Sequence, residues 1–404
     1  MLNKKKIINY KFKKFNSIGK EELDAASKVI KSGKLSGFLA GTGSEFKGGK
    51  YVKLFEKKIK RYFNVRHAIT VNSWTSGLVA AVGAISPKPG DEIILPTWTM
   101  SACASAILQW NAVPVFCDIK KNDFTIDTKI LEKLITKKTI AIMAVDLFGN
   151  VCDYEEIIKI AKKYKLKIIS DSAQAISAKY KNKYVSTFVD IGGFSLNRHK
   201  HINTGEGGIL ITNNKKYAER LRLLRNHAET SLGNKNKLNK NMFGFNFRLG
   251  EIESAIGIEQ LKKLKNIVNE RIYVANTLTN GLKNLKGLNI PISNPLKKNI
   301  YYFYPLTIDT NIIKTSKKKI VSLLESYGIQ DICLEYTSLH QLPIFKNSKY
   351  KYYNSQNRKY LVAENLNKKS FFAIKLCVLL LNKKDIQLII KSFKKVWSKI
   401  KFYN

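Results

Sequence analysis

Lys200 lies in the stretch GGFSLNRHKHINTGEGGILITNN, residues 192–214, between two apolar strand-like runs, after Ser195 and before a glycine pair. A lysine amine in a loop at a strand end can condense with an aldehyde if burial or neighbouring cations lower its pKa. His199 and His201 flank it. Taken alone, Lys200 reads as an ordinary solvated loop lysine, as any single lysine of this lysine-rich chain does, and only the other stretches overturn that reading. In ISDSAQAISA, residues 169–178, Asp171 closes an apolar run and Gln174 follows three residues later. A carboxylate at the C-terminal end of a strand faces the crevice where α/β proteins bind ligands. Paired with a pyridine nitrogen it would keep that nitrogen protonated and the ring an electron sink. By itself Asp171 is more often a helix cap or turn residue. A third stretch, VNSWTSGL at residues 71–78, runs a strand into a helix with Ser73, Thr75 and Ser76 at the junction. Free N–H groups and hydroxyls at a helix start make a phosphate cradle, although serine and threonine also cap many helices that bind nothing.

The elements that must position these residues follow from hydrophobic periodicity. From about residue 65, short apolar runs alternate with helical patterns: HAITVNS then TSGLVAAVGAI, DEIILPTW then SACASAILQW, VPVFCDI, TIAIMAVDLFG, and KIISDSA. Such alternation signals a largely parallel sheet covered by helices. Asp153 followed by Glu156 resembles a capping box and places a helix start after Gly149-Asn150. The runs IGGFSL and GGILITNN flank the Lys200 loop. Beyond Leu249 a long helical pattern leads away from the first domain, followed by strand-like IYYFYPLTI, a helix near SKKKIVSLLESYG and a final helix opening at Asn382 with Asp385 in its first turn. The expected division is an N-terminal arm or frayed end over 1–20, a large domain over 21–265 and a smaller C-terminal α/β domain over 266–404.

Composition narrows the classes. A chain of 404 residues, 44% hydrophobic, can bury a sizeable core and divide into a large and a small domain. No window approaches the roughly 18 consecutive apolar residues of a membrane span, and the start lacks a signal-peptide pattern, so a cytoplasmic protein without membrane insertion is expected. The five cysteines are scattered, with no pair at metal-ligand or redox spacing, and read as buried free thiols. The net charge of +41 suggests an anionic partner, but arginine is a small minority of the 71 basic residues. Neither a compact basic reading helix nor an aromatic-rich basic sheet accompanies the charge, so a nucleic-acid partner is set aside. A lysine-rich solvated surface remains, which can steer a negatively charged substrate.

Together and in this order the stretches resemble the DegT/DnrJ-type family of pyridoxal phosphate (PLP)-dependent sugar aminotransferases, a fold type I group. The resemblance runs from about Gly19 to Ser392 and includes SGKLSGF, GGKYVKLFEKKIKRYFNVRHAITVNS, KPGDEIILPTWT, AVPVFCDI, DSAQA, FSLNRHKHINTGEGG, FGFNFRLGEIESAIGIEQL and HQLPIF. Lys200 falls six residues after Phe194 and six before Glu206, as in the family. The resemblance implies an α/β fold with a mostly parallel seven-stranded sheet and a smaller C-terminal domain. It implies that Lys200 holds pyridoxal 5'-phosphate as a Schiff base and then moves the substrate proton. Asp171 would pair with the ring nitrogen and Gln174 lie near the ring's hydroxyl side. Thr75, Ser195 and the backbone around Ser73 would hold the phosphate, and Asn246 would reach the phosphate of the neighbouring subunit in a homodimer.

Three positions depart from the pattern. Trp74 stands where glycine is usual, so the backbone approach to the phosphate could differ. Met100 stands where an aromatic commonly stacks on the ring, leaving Trp98 or the Met100 sulfur as the contact. His199 stands where a small or branched residue is usual. The implied activity is transfer of an amino group, from glutamate, to a keto group of a nucleotide-linked sugar for glycan biosynthesis. Sugar dehydration on the same fold and formation of an amino-cyclitol are the alternatives. Family members that dehydrate carry histidine in place of the motif lysine, and Lys200 is present here.

Overall fold

The computed structural model describes residues 10–41, 43–229, 242–346 and 358–403. Its centre is a seven-stranded sheet in the order His67–Val71, Gly208–Thr212, Ile191–Ser195, Lys167–Asp171, Thr139–Val145, Glu92–Pro96, Val113–Cys117. Gly208–Thr212 is antiparallel to both its neighbours and every other pairing between adjacent strands is parallel. Six C-terminal strand ends therefore share one edge. The strands read as continuous apolar runs because both faces are covered: one buried cluster contains Ile93, Leu95, Met143, Ile169 and Leu210, and a second contains Ile94, Ile142, Ala144, Ile168 and Ile211.

Helix Trp74–Ala84 is apolar on all sides and almost wholly buried, a pattern for a helix inside the core rather than on its surface. Ser73 caps it, its Oγ accepting from Ser76 N–H at 3.0 Å. Helix Tyr154–Lys163 begins where expected, but the capping box does not form. Asp153 instead pairs with Lys120 and, at 2.5 Å, with Lys297, and these half-buried ammonium groups outcompete the helix N–H for its carboxylate.

The long helix Glu251–Leu282 contacts the second cluster through Leu261, Leu264 and Val268, and a third cluster through Val274, Ala275 and Leu278. That third cluster is built from a four-stranded sheet, which includes Tyr304–Ile308 and Phe371–Ile374, and from helices Lys317–Ser326 and Lys383–Trp397. The last of these opens with the Asn382–Asp385 capping box. Of the N-terminal residues, Phe12 is buried in the third cluster and Lys13–Lys14 pairs with Leu379–Leu380. The C-terminal half is not packed only on itself: Tyr302, Phe303, Tyr360 and Phe371 join the first cluster, against the large sheet's residues. Among the described residues no helix is long and apolar enough to cross a membrane.

Candidate active site

Because the strands share a direction, their C-terminal ends deliver side chains to one crevice. A cavity of about 300 Å³ opens there, with Ser73 and Thr75 after strand His67–Val71, Met100 after Glu92–Pro96, Asp146 after Thr139–Val145, and Asp171 and Ser195 closing Lys167–Asp171 and Ile191–Ser195. Lys200, Gln174, His199 and Trp74 also line it.

The Lys200 loop leaves the sheet at Ser195 and returns at Gly208. Leu196 N–H donates to Gly207 O at 2.9 Å, Thr204 N–H to Leu196 O at 3.0 Å, and Lys200 N–H to Asn197 O at 2.9 Å. Gly207 has φ +150°, and a Cβ there would fall 2.8 Å from Thr204 Oγ1, so the glycine lets the loop fold back. Lys200 is 8% exposed. Burial lowers its ammonium to about 8, with the Asp171 charge opposing part of that fall. Its Nζ stands 4.5 Å from the centre of the Tyr302 ring. The flanking histidines do not supply the depressing charge: burial holds His199 down to about 4 and His201 to about 3. His201 is further occupied by the carbonyl of Ile300 at 3.0 Å from Nε2.

Asp171 is buried beneath the cavity. Its Oδ1 accepts from Trp74 Nε1–H at 2.7 Å and Ala173 N–H at 3.0 Å, and its Oδ2 from Cys103 Sγ at 2.9 Å. Trp74 thus turns its side chain into the core, and its backbone stays at the helix start. There the N–H groups of Trp74 and Thr75 have no intrahelical acceptor. Gln174 lines the cavity with its Oε1 accepting from Phe148 N–H at 2.7 Å. Ser195 Oγ accepts from Asn197 N–H at 3.2 Å.

One expectation changes. Trp98 does not replace the aromatic missing at Met100: it is fully buried, donates from Nε1 to the carbonyl of Tyr336 and packs edge-on against Phe371 and Phe148. Met100 is 60% exposed on the cavity wall. Asn246, expected to reach the neighbouring subunit's phosphate, lies outside its own chain's cavity; its side chain is exposed, and its backbone bridges Asn226. It does not cap the following helix either, since Gly250 holds that position.

Sequence reasoning missed Cys103, Asp146, Tyr302, Phe303 and Tyr336. Asp146 follows an apolar run in the same way as Asp171 does, a signal that was available. Burial raises it to about 6, against hydrogen bonds from Ser172 Oγ, Cys152 N–H and Tyr154 OH. The aromatics reach the cavity from parts of the chain far beyond the Lys200 loop, which no local pattern reveals.

The groups fit a ligand with three chemically distinct ends: an amine of lowered pKa for an aldehyde, a buried carboxylate for a protonated ring nitrogen, and a hydroxyl-bearing helix start for a phosphate. Comparison with known proteins agrees. Residues 17–393 match the DegT/DnrJ/EryC1/StrS aminotransferase family. A GDP-perosamine synthase of Caulobacter vibrioides is 32% identical over 70% of this chain and 75% of its own. The solved structure of Helicobacter pylori PseC, an aminotransferase involved in the biosynthesis of pseudoaminic acid, is 29% identical, with a TM-score of 0.82 over 96% of this chain and 100% of that one. A GDP-4-keto-6-deoxymannose-3-dehydratase structure is 25% identical, with a TM-score of 0.81 over 95% of this chain and 100% of that one. The chain belongs to the DegT/DnrJ/EryC1/StrS aminotransferase family, as a fold type I aminotransferase whose cofactor is pyridoxal phosphate.

Proposed function

We propose that this enzyme moves an amino group from glutamate to a keto carbon of a nucleotide-linked sugar destined for a cell-surface polysaccharide or related glycan. The observation that carries the reading is the buried Lys200 amine of lowered pKa, in one cavity with Asp171 and the Ser73–Thr75 helix start. Bound pyridoxal phosphate supplies an electron sink for the charge left when a proton leaves the substrate carbon. The protein's residues do the rest. Lys200 would hold the cofactor through its aldehyde, and its free amine would remove and return the substrate proton. A pKa of about 8 suits that exchange near neutrality. Asp171 pairs with the protonated ring nitrogen. Thr75, Ser195 and the N–H groups after Ser73 would bind its phosphate, and Gln174 would lie near its ring hydroxyl. Tyr302, Phe303 and Tyr336 wall the cavity and exclude water.

Dehydration without transfer is the weaker reading, because Lys200 is in place and His201 is bound to the Ile300 carbonyl. The working unit is a homodimer in which Asn246 completes the partner's phosphate site. In support, Asn226 bridges Asn246 and donates to the carbonyl of Leu39, Glu251 N–H bonds Leu35 O, and Leu35, Leu39 and Phe243 are exposed. An apolar patch around an exposed asparagine suits an interface. The protein acts in the cytoplasm, whose reducing conditions suit five free cysteines. With enzyme, cofactor and glutamate alone, one equivalent of 2-oxoglutarate per site is expected. Failure to release the matching 2-oxo acid from glutamate and from every other common amino-acid donor would remove the transaminase reading.

A further inference from the structure

Trp74, which replaces the usual glycine, is tied to the residue assigned to the ring nitrogen. An ionised carboxylate has about four lone-pair sites. In Asp171 three are filled by the protein: two on Oδ1, by Trp74 Nε1–H and Ala173 N–H, and one on Oδ2, by Cys103 Sγ. The remaining site is on Oδ2, and Asp171 lines the cavity. A carboxylate gripped at both oxygens cannot turn about its terminal torsion, which is otherwise broad. A cationic N–H arriving from the cavity meets an acceptor whose direction is already set.

The surroundings are shaped for this contact. Trp74 is 6% exposed. Glycines stand at two places against its ring: a Cβ on Gly77 would lie 2.8 Å from it and one on Gly193 2.7 Å. A buried indole N–H is a donor only and needs an acceptor, and Asp171 provides it. Burial and the Asp171 charge push the Cys103 thiol well above its ordinary range, so it keeps its proton and remains a donor.

We propose that Trp74 and Cys103 are positioning residues that orient the Asp171 carboxylate toward the ring nitrogen of pyridoxal phosphate. This rests on the assignment of Asp171 to that nitrogen, so the test separates the two. Cofactor-free enzyme is titrated with pyridoxal phosphate and with an analogue carrying carbon in place of the ring nitrogen, and the dissociation constants are read by absorbance. Trp74→Phe keeps an aromatic ring and loses the donor. It is expected to weaken pyridoxal phosphate binding roughly tenfold, the loss of one hydrogen bond to a charged group, and to leave the carbon analogue unchanged. Asp171→Asn should show the same selectivity more strongly. If Asp171→Asn is selective and Trp74→Phe weakens both ligands alike, or neither, the positioning role is overturned and Asp171 keeps its assignment. If Asp171→Asn shows no selectivity, the assignment falls and the proposal with it. Should Trp74→Phe fail to fold, Cys103→Ala and Cys103→Ser give the same readout: alanine selectively weakens pyridoxal phosphate and serine restores it. An alanine variant with wild-type selectivity would also overturn the proposal.

Discussion

Replacing Lys200 with methionine should stabilise the cofactor-free protein at neutral pH, an unusual outcome for a residue on which activity depends. The amine is buried, and its pKa falls from 10.5 to about 8 on folding. At pH 7 the unfolded chain carries a solvated ammonium and the folded chain a poorly hydrated one. Integrating the difference between the two pKa values gives a folding penalty of about 3 kcal/mol. Between pH 8 and 10.5 the unfolded state binds the extra proton, so wild-type stability rises with pH across that window and the penalty disappears above it. Methionine keeps a similar unbranched volume and removes the charge. Urea unfolding of both cofactor-free proteins, at one protein concentration, should therefore show the variant ahead by up to about 3 kcal/mol at pH 7 and level with wild type near pH 10.5. A variant that is less stable at pH 7, or a difference that does not shrink with rising pH, would refute burial as the cause of the lowered pKa.

Lys200→Ala should abolish amino transfer while circular dichroism stays native, since a loop-borne lysine contributes chemistry more than packing; turnover within tenfold of wild type would sink its assignment. Gly193→Ala should lower stability by about 3 kcal/mol or prevent folding, because its Cβ would fall 1.9 Å from the carbonyl of Ile209 and 2.7 Å from the Trp74 ring. A melting temperature equal to wild type would contradict the close approach. Mixing Lys200→Ala and Asn246→Asp homodimers under subunit exchange should restore activity in one site of each mixed dimer. No rise above the Asn246→Asp parent would overturn the role of Asn246 in the partner's phosphate site.

How far the sequence reveals this site depends on the range of the interactions. Lys200, Asp171 and Ser73 are legible because Asp171 closes an apolar strand and the other two follow one, and the parallel sheet that such strands form puts their ends on one edge. The Asn382–Asp385 cap is legible because it is closed within one turn. The Asp153–Glu156 signal has the same local form, yet it fails because Lys120 and Lys297 reach Asp153 from distant parts of the chain. Tyr302 and Phe303 look like part of a strand, IYYFYPLTI, but the strand begins only at Tyr304 and the preceding aromatics face the cavity. Trp74 reads as a disturbance of the phosphate loop. Its purpose becomes visible only when Gly77, Gly193 and Asp171 are seen around one indole ring.

The most direct test of amino transfer follows the nitrogen atom. Enzyme loaded with pyridoxal phosphate is given glutamate labelled with heavy nitrogen and a panel of nucleotide-linked keto-sugars, and the products are read by mass spectrometry. The predicted result is a nucleotide amino-sugar carrying the label, formed with an equal amount of 2-oxoglutarate and absent with Lys200→Ala. A sugar product that has lost water and gained no labelled nitrogen would contradict it.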